Sequence, residues 1–321
     1  MSDKRVGIVA IGRNEGERLQ ACLRSIPPGF PIVYVDSAST DGSVEFARGI
    51  GAEVVALDLA RPFTAARARH EGFERLLAVA SGIDYVQFVD GDCEMEPEWL
   101  PAAIARLDAA PRVAVVCGRR REKYPEASFY NALCDVEWNT PIGEAEACGG
   151  DAMFRVSAYC EVGGFDPALI AHEEPDLCSR LRAGGWRVER LDVPMTRHDA
   201  AITRLGQVWR RNTRAGYGYA QAAAKHAGSP YDPSRGLMRR TLQWGLALPL
   251  ACLAATVLLW PWGLAAWLVF PLQIARRAVL ARLGWRRASL ELLAKFAEAE
   301  GFLKWLTDRV RHRSRNAIQY K

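Results

Sequence analysis

Five groups of residues in this sequence have types and spacings that could do chemistry. Asp90-Gly91-Asp92 follows the apolar run YVQFV, with Glu94 two positions on. Two carboxylates two residues apart at a strand end can reach one divalent cation and one diphosphate together, and hard oxygen ligands suit Mg2+ or Mn2+. Any surface turn can produce D-x-D, so its place at a strand end is what gives it weight. Asp36 ends another apolar run in VDSASTDGS. A carboxylate there can accept from a nucleobase N–H, and the same Ser/Thr-rich turn also suits a plain helix cap. Glu173-Glu174-Pro175-Asp176 opens a helix pattern beside a Gly-Gly loop. Acidic residues in a first turn complement the helix dipole, and three carboxylates also offer a general base for a hydroxyl acceptor. His198 follows the last strand pattern, either as a structural histidine or as a third metal ligand. Arg210, Arg211 and Arg214 share the helical segment WRRNTRAG, where forked donors face solvent or contact phosphates.

The elements that must position these groups alternate. VGIVAIG (6–12), PIVYVDS (31–37), AEVVALD (52–58), YVQFVDG (85–91) and VAVVCG (113–118) are continuous apolar runs suited to strands covered on both faces. Between them lie helix patterns over Glu15–Ser25, Ser43–Gly49, Thr64–Ala80 and Pro97–Ala109. Repeated β-α-β units imply a parallel, doubly wound sheet with ligands at the carboxyl ends of its strands. Further on, Gly149-Gly150 precedes a short strand (Ala152–Val156), Glu174–Ala183 is a helix, 186–192 a strand, and a polar, basic helix covers about 202–226.

The 321 residues are half hydrophobic and a quarter charged, which excludes a disordered or disulfide-stapled chain. Residues 1–200 hold 22 basic and 32 acidic side chains, net −10; residues 201–321 hold 20 and 5, net +15. Val6–Gly12 is too short for a signal-peptide core and reads as a first strand. Eight scattered cysteines with no C-x-x-C spacing suit reduced thiols in a cytosolic setting. From Thr241 to Ala275 there are 35 residues without a charged side chain, with Trp260-Pro261-Trp262-Gly263 near the middle and arginines at both ends. That pattern predicts a membrane-embedded hairpin, either two short spans or re-entrant, with both ends cytoplasmic; a buried helix pair is the alternative. Beyond it, Leu292, Phe296, Ala299, Leu303, Leu306 and Val310 mark an amphipathic helix ending in RVRHRSR, suited to an anionic membrane surface or to packing on the preceding domain. No nucleic-acid recognition motif accompanies the basic tail.

Taken in order, VAIGRNEGERLQACLRSI, VDSASTDGS, AARARHEGF, FVDGDCEMEPEWL, CGGDAMFR, GGFDP and EEPDLCSRLRAGGW resemble family 2 glycosyltransferases of the GT-A fold, over about residues 5–215. The resemblance implies a Rossmann-like, mostly parallel sheet flanked by helices, here followed by the hydrophobic helical hairpin and the amphipathic helix. With the composition of the remainder, the expected domains are 1–230 (catalytic), 231–286 (hairpin) and 287–321 (basic tail). The resemblance also implies an inverting, metal-dependent, hexosyltransferase-type enzyme that uses a nucleotide sugar and Mg2+ or Mn2+. Asp36 would contact the nucleobase and Arg69 the nucleotide. Gly149, Gly150, Arg211 and Arg214 would join the donor site. Asp90 and Asp92 would manage diphosphate and metal, with Asp92 the more direct ligand and His198 another. The base corresponds to the second acidic residue of the usual Glu-Asp pair, which here is Glu174; Glu173 and Asp176 remain alternatives. The opening segment has Ala10-Ile11-Gly12-Arg13 where relatives often carry proline and tyrosine. The expected acceptor is a lipid, lipid-linked sugar or polysaccharide at the cytoplasmic or inner membrane, with the catalytic domain on the cytoplasmic side.

Rival chemistries fit less well. An aspartyl phosphatase wants D-x-D after the first strand, and a dehydrogenase wants G-x-G-x-x-G where this chain has IGRNEGERL. A nucleotidyltransferase, or a non-catalytic membrane-anchored nucleotide-sugar-binding protein of the same fold, keeps the same carboxylates.

Overall fold

A computed structural model describes residues 5–311 and 313; the end of the RVRHRSR stretch and residues 314–321 lie outside the described residues. The chain divides into two compact units, one running up to Thr203 with Ser229–Pro233, the other holding Arg204–Gly228 and the chain from Ser234 onward.

The first unit is built on nine strands: β1 (Arg5–Gly12), β2 (Ile32–Asp36), β3 (Glu53–Ala56), β4 (Ile83–Asp90), β5 (Cys93–Met95), β6 (Val113–Glu122), β7 (Gly143–Glu144), β8 (Ala152–Arg155) and β9 (Arg187–His198). They run in the order β3-β2-β1-β4-β8-β6-β9-β5, with β7 also on β9. Pairings β1·β2, β1·β4, β2·β3 and β6·β9 are parallel. Strand β8 enters antiparallel between β4 and β6, so the fifth apolar run does not sit beside the fourth. Local periodicity carries no information about that insertion, because it is set by long-range pairing. Six strands still point one way. Six consecutive residues of β1 are buried, as expected of a strand covered on both faces.

Seven helices accompany the sheet: α1 (Glu17–Ser25), α2 (Ser43–Gly49), α3 (Ala65–Val79), α4 (Trp99–Ala109), α5 (Phe129–Trp138), α6 (Val156–Glu161) and α7 (Glu173–Ala183). Thr64 caps α3, its hydroxyl accepting from the Arg67 N–H at 3.0 Å. Pro97 lies just outside α4, whose N-cap is Glu98. Helix α3 lies close on β1 and β2 because residue 72 is glycine: a Cβ there would stand 2.5 Å from Val9 and 2.7 Å from Val35. Phe88, Phe154, Tyr159 and Phe165 form a ring cluster with centroids 5.2–5.9 Å apart beneath the functional edge. All eight cysteines are free thiols.

The second unit contains α8 (Leu205–Lys225), α9 (Arg235–Leu242), α10 (Leu248–Leu258), α11 (Val269–Val279) and α12 (Trp285–Val310). A π-helical turn (Gln243–Ala247) joins α9 to α10, and a 3-10 helix (Trp262–Leu268) leads into α11. The continuous helix Arg235–Leu258 is, among the described residues, the one long and apolar enough to cross a membrane. Helices α8 and α12 meet backbone to backbone at Gly216 and Gly301, where an added Cβ would lie 2.0 Å from a facing carbonyl oxygen. Leu292 and Ala299 of α12 are buried in this packing, whereas Leu303, Leu306 and Val310 stay exposed.

Candidate active site

Parallel register brings the functional strand ends level. Gly12 pairs with Asp36 and Ile11 with Asp90, so both aspartates stand at one carboxyl edge of the sheet, where open α/β sheets bind ligands. The Asp36 carboxylate accepts from the Tyr34 hydroxyl and the Ser39 N–H, each at 2.9 Å. Burial, with Asp36 beside it, pushes the Tyr34 hydroxyl pKa up, so Tyr34 remains a donor to Asp36.

Arg69, one turn before Gly72 on α3, is the hub. It is buried, stacks over Phe165 at 5.5 Å, and donates to Asp90 Oδ1 at 2.6 Å and Glu173 Oε1 at 2.8 Å. Glu174 Oε1 lies 3.9 Å from the same guanidinium. Burial opposes the charge on Arg69, but Asp90, Glu174 and Glu173 outweigh it and push its pKa up. On the other side of Asp90 stands Arg120, 3.8 Å from Oδ2 and paired at 2.7 Å with the fully buried Asp151. Asp151 also accepts from the Asp90 N–H at 3.0 Å and from the Thr196 hydroxyl at 2.9 Å. Gly150 closes this cluster. A Cβ there would meet Arg69 Nη2 at 2.6 Å, Asp90 Oδ2 at 2.7 Å and Glu174 Oε1 at 3.3 Å. Gly149, at φ +80°, turns the chain into that approach.

The two acids at the heart of the cluster are driven apart. Burial alone would raise the Asp90 pKa, but Arg69, then Arg120 and His198, hold it down at about 2. Burial and then Glu173 push Glu174 up to about 7, with Arg69 opposing. One carboxylate is therefore fixed as an anion while the other can exchange a proton near neutral pH. Asp176 takes a different place: buried on α7, it pairs with Arg180 at 2.7 Å, and Arg180 also donates to the Gly164 carbonyl at 2.6 Å.

Asp92 and His198 form the second group. His198 Nε2 is 3.1 Å from Asp92 Oδ2, and the ring stacks on Trp138 at 4.6 Å with 13° between the planes. Burial, reinforced by Arg120, lowers the imidazole pKa to about 4 against the pull of Asp151, Asp90 and Glu122. A neutral ring whose buried nitrogens make no hydrogen bond, facing a carboxylate, is a donor set fit for a divalent cation. Oxygen, nitrogen and sulfur atoms of Asp92, Cys93 and His198 lie within 4.8 Å of one another, as do those of Asp90, Cys93 and Asp151. Burial, then Asp151, raises the Cys93 thiol well above its ordinary pKa, so it stays protonated. The set therefore suits Mg2+ or Mn2+, bound by carboxylates and imidazole, over a thiolate-bound metal.

Arg211 and Arg214 stand on α8 of the second unit. Of the residues singled out in the sequence, direct contacts join Arg69, Asp90 and Glu173, with Glu174 and Gly150 against them, and separately join Asp92 with His198. Arg120 and Trp138 belong to the site and carry no motif, and Asp151, within CGGDAMFR, joins it as a partner of Arg120. The alternation of VCGRRRE points to Arg120: its side chain is 14% exposed, against 33% for Arg119 and 62% for Arg121.

The sequence model of glycosyl transferase family 2 matches residues 8–160. A glycosyltransferase of Mycobacterium tuberculosis is 30% identical over 208 residues, which cover 60% of this chain and 86% of the relative. The mannosyltransferase PcManGT of Pyrobaculum calidifontis, solved with GDP-Man and Mn2+, aligns at TM-score 0.66 and 21% identity, over 96% of this chain and 89% of that one. A Staphylococcus aureus TarS structure (1–349) aligns at TM-score 0.54 and 14% identity, over 96% and 92%. These solved structures share the fold, a GT-A-like sheet flanked by helices. With a paired acid edge on that sheet and a relative matched over most of its length, the chain belongs to glycosyl transferase family 2 and is a glycosyltransferase.

Proposed function

We propose that the enzyme moves a hexose from a nucleoside-diphosphate sugar to an acceptor hydroxyl in one inverting displacement, with Glu174 as general base. The observation that carries this is the split between two neighbouring carboxyls, Asp90 held near 2 and Glu174 lifted to about 7 across Gly150. Glu174 takes the proton of the acceptor hydroxyl while that oxygen forms a bond to the anomeric carbon. The bond from that carbon to the diphosphate oxygen breaks on the opposite face, and its electron pair leaves with the diphosphate. Glu173, held by Arg69, keeps Glu174 basic. Asp36 accepts from the nucleobase, and Arg69 with the Gly149-Gly150 turn frames the nucleotide. Asp92 and His198, with Asp90, would hold Mg2+ or Mn2+, which supplies positive charge to the leaving diphosphate.

The second unit supports a seat at the cytoplasmic membrane, with the catalytic unit on the cytoplasmic side. Its uncharged run carries exposed leucines and tryptophans at its middle, and arginines flank both ends. That seat favours a lipid, lipid-linked sugar or growing polysaccharide as acceptor. The test is to incubate purified protein and MnCl2 with nucleoside-diphosphate hexoses and membrane lipid extract, and to determine the product's anomeric configuration by NMR. Inverted product is expected; retained configuration would overturn the single displacement.

A further inference from the structure

The geometry points to a re-entrant hairpin: residues Leu248–Leu268 enter one leaflet of an anionic bilayer and return without crossing it. This inference rests on the membrane seat proposed above and settles how deep that seat goes.

Charged neighbours mark where the hydrocarbon can begin. At Gly245 the helix touches α12 so closely that a Cβ would lie 2.2 Å from the Lys295 carbonyl oxygen and 2.7 Å from Ala299. Lys295 pairs there with Glu298 at 2.6 Å, and Glu298 in turn accepts from Thr241. On the returning arm Phe270 packs on Phe296 of α12 at 5.8 Å, and Arg277 pairs with Glu291. Trp244 and Phe270, 6.3 Å apart, join the two arms at this level. Helix α12 and its charged side chains thus accompany the hairpin through the π-helical turn Gln243–Ala247 on one arm and as far as Phe270 on the other, and only what lies beyond can enter hydrocarbon.

What lies beyond is short. Helix α10 has 11 residues, about 16 Å at a rise of about 1.5 Å each. The 3-10 helix of the returning arm has 7 residues, about 14 Å at about 2.0 Å each. A hydrocarbon core of about 30 Å is therefore entered about halfway. The arms agree with each other, and their polar groups are arranged for an apolar solvent. Cys252 donates to the Ala266 carbonyl at 3.4 Å, the Thr256 hydroxyl to the Cys252 carbonyl at 2.8 Å, and the Trp267 indole to Thr256 at 3.0 Å. Gly263 lets the arms meet, since a Cβ there would stand 1.9 Å from the Ala255 carbonyl oxygen. At the tip, Trp260 is 70% and Trp262 84% exposed. Arg239, Arg240, Arg276 and Arg277 sit at the mouth, the position that complements anionic lipid headgroups.

The experiment uses the full chain carrying Trp260→Cys, added to preformed vesicles of phosphatidylglycerol and phosphatidylcholine. A membrane-impermeant maleimide is supplied either outside or trapped inside, and Cys160, exposed on the catalytic unit, reports the outside reagent. Cosedimentation with these vesicles is expected, at least tenfold weaker on phosphatidylcholine alone. Cys160 should label from outside and position 260 from neither side, becoming reactive only in detergent. Labelling of position 260 by the trapped reagent would show a crossing and overturn the inference. Labelling by the external reagent alone would show a surface contact and overturn it as well. Absence of cosedimentation would instead remove the membrane seat, and none of these outcomes bears on sugar transfer.

Discussion

Glu174 and Asp90 reach toward the same guanidinium and are pushed in opposite directions, and this contrast gives the residue scale its sharpest consequence. A base lifted to about 7 is protonated and idle below that pH. The pH profile of kcat/KM should therefore rise from pH 5.5 to 8 with one limb near 7, falling about tenfold per pH unit on its acid side. Asp90, held near 2, contributes no limb in that range. Asp151 is the residue whose loss should be felt as instability. Its carboxylate holds the buried Arg120 and accepts from Thr196 and from the Asp90 N–H. Asp151→Ala leaves a buried guanidinium without its partner and is expected to cost about 3 kcal/mol or more in urea unfolding. Asp36, Asp90, Asp92 and the acids of 173–176 were legible in the sequence because strand ends and a helix start display them. That Arg120 and Asp151 meet Asp90 was not legible, because β6 and β8 bring them there from positions 30 and 61 residues along the chain through long-range pairing.

At the scale of elements, glycines set how closely backbones approach. Gly216 faces the Glu298 carbonyl oxygen, 2.0 Å from where a Cβ would stand, in rigid helical backbone that cannot step aside. Gly216→Ala should therefore part α8 from α12 and lower the melting temperature, at a cost of about 1–3 kcal/mol. Gly150→Ala meets side-chain ends instead, so it should spare the melting temperature while raising the KM for the donor about tenfold or more. Most strands and helices of the first 115 residues follow their apolar periodicity to within a few positions: α2 runs over Ser43–Gly49 as expected, and Thr64 becomes the cap of α3. The exceptions have physical causes. Strand β5 is three residues long, too short for alternation to register, and α5 carries Trp138 to His198 through a segment without a distinct apolar stripe.

For the whole molecule, the division of charge into an acidic first part and a basic remainder corresponds to two kinds of work. The acidic part holds its anions in a buried network around Arg69 and Arg120; the basic part sets its arginines around an uncharged hairpin. Composition revealed that asymmetry, but not the depth proposed for the hairpin, which depends on where α12 lays its charged side chains. Nor could it assign α8, which counts with the second unit although its arginines follow the catalytic motifs in sequence. The central claim is that Glu174 is the base of a sugar transfer. It is tested most directly by measuring transfer from a nucleoside-diphosphate hexose with the Glu174→Gln enzyme beside the unaltered one, donor affinity being determined separately. The expected result is a kcat at least a hundredfold lower with donor binding within a few-fold and the neutral pH limb abolished; transfer at the unaltered rate would contradict the account.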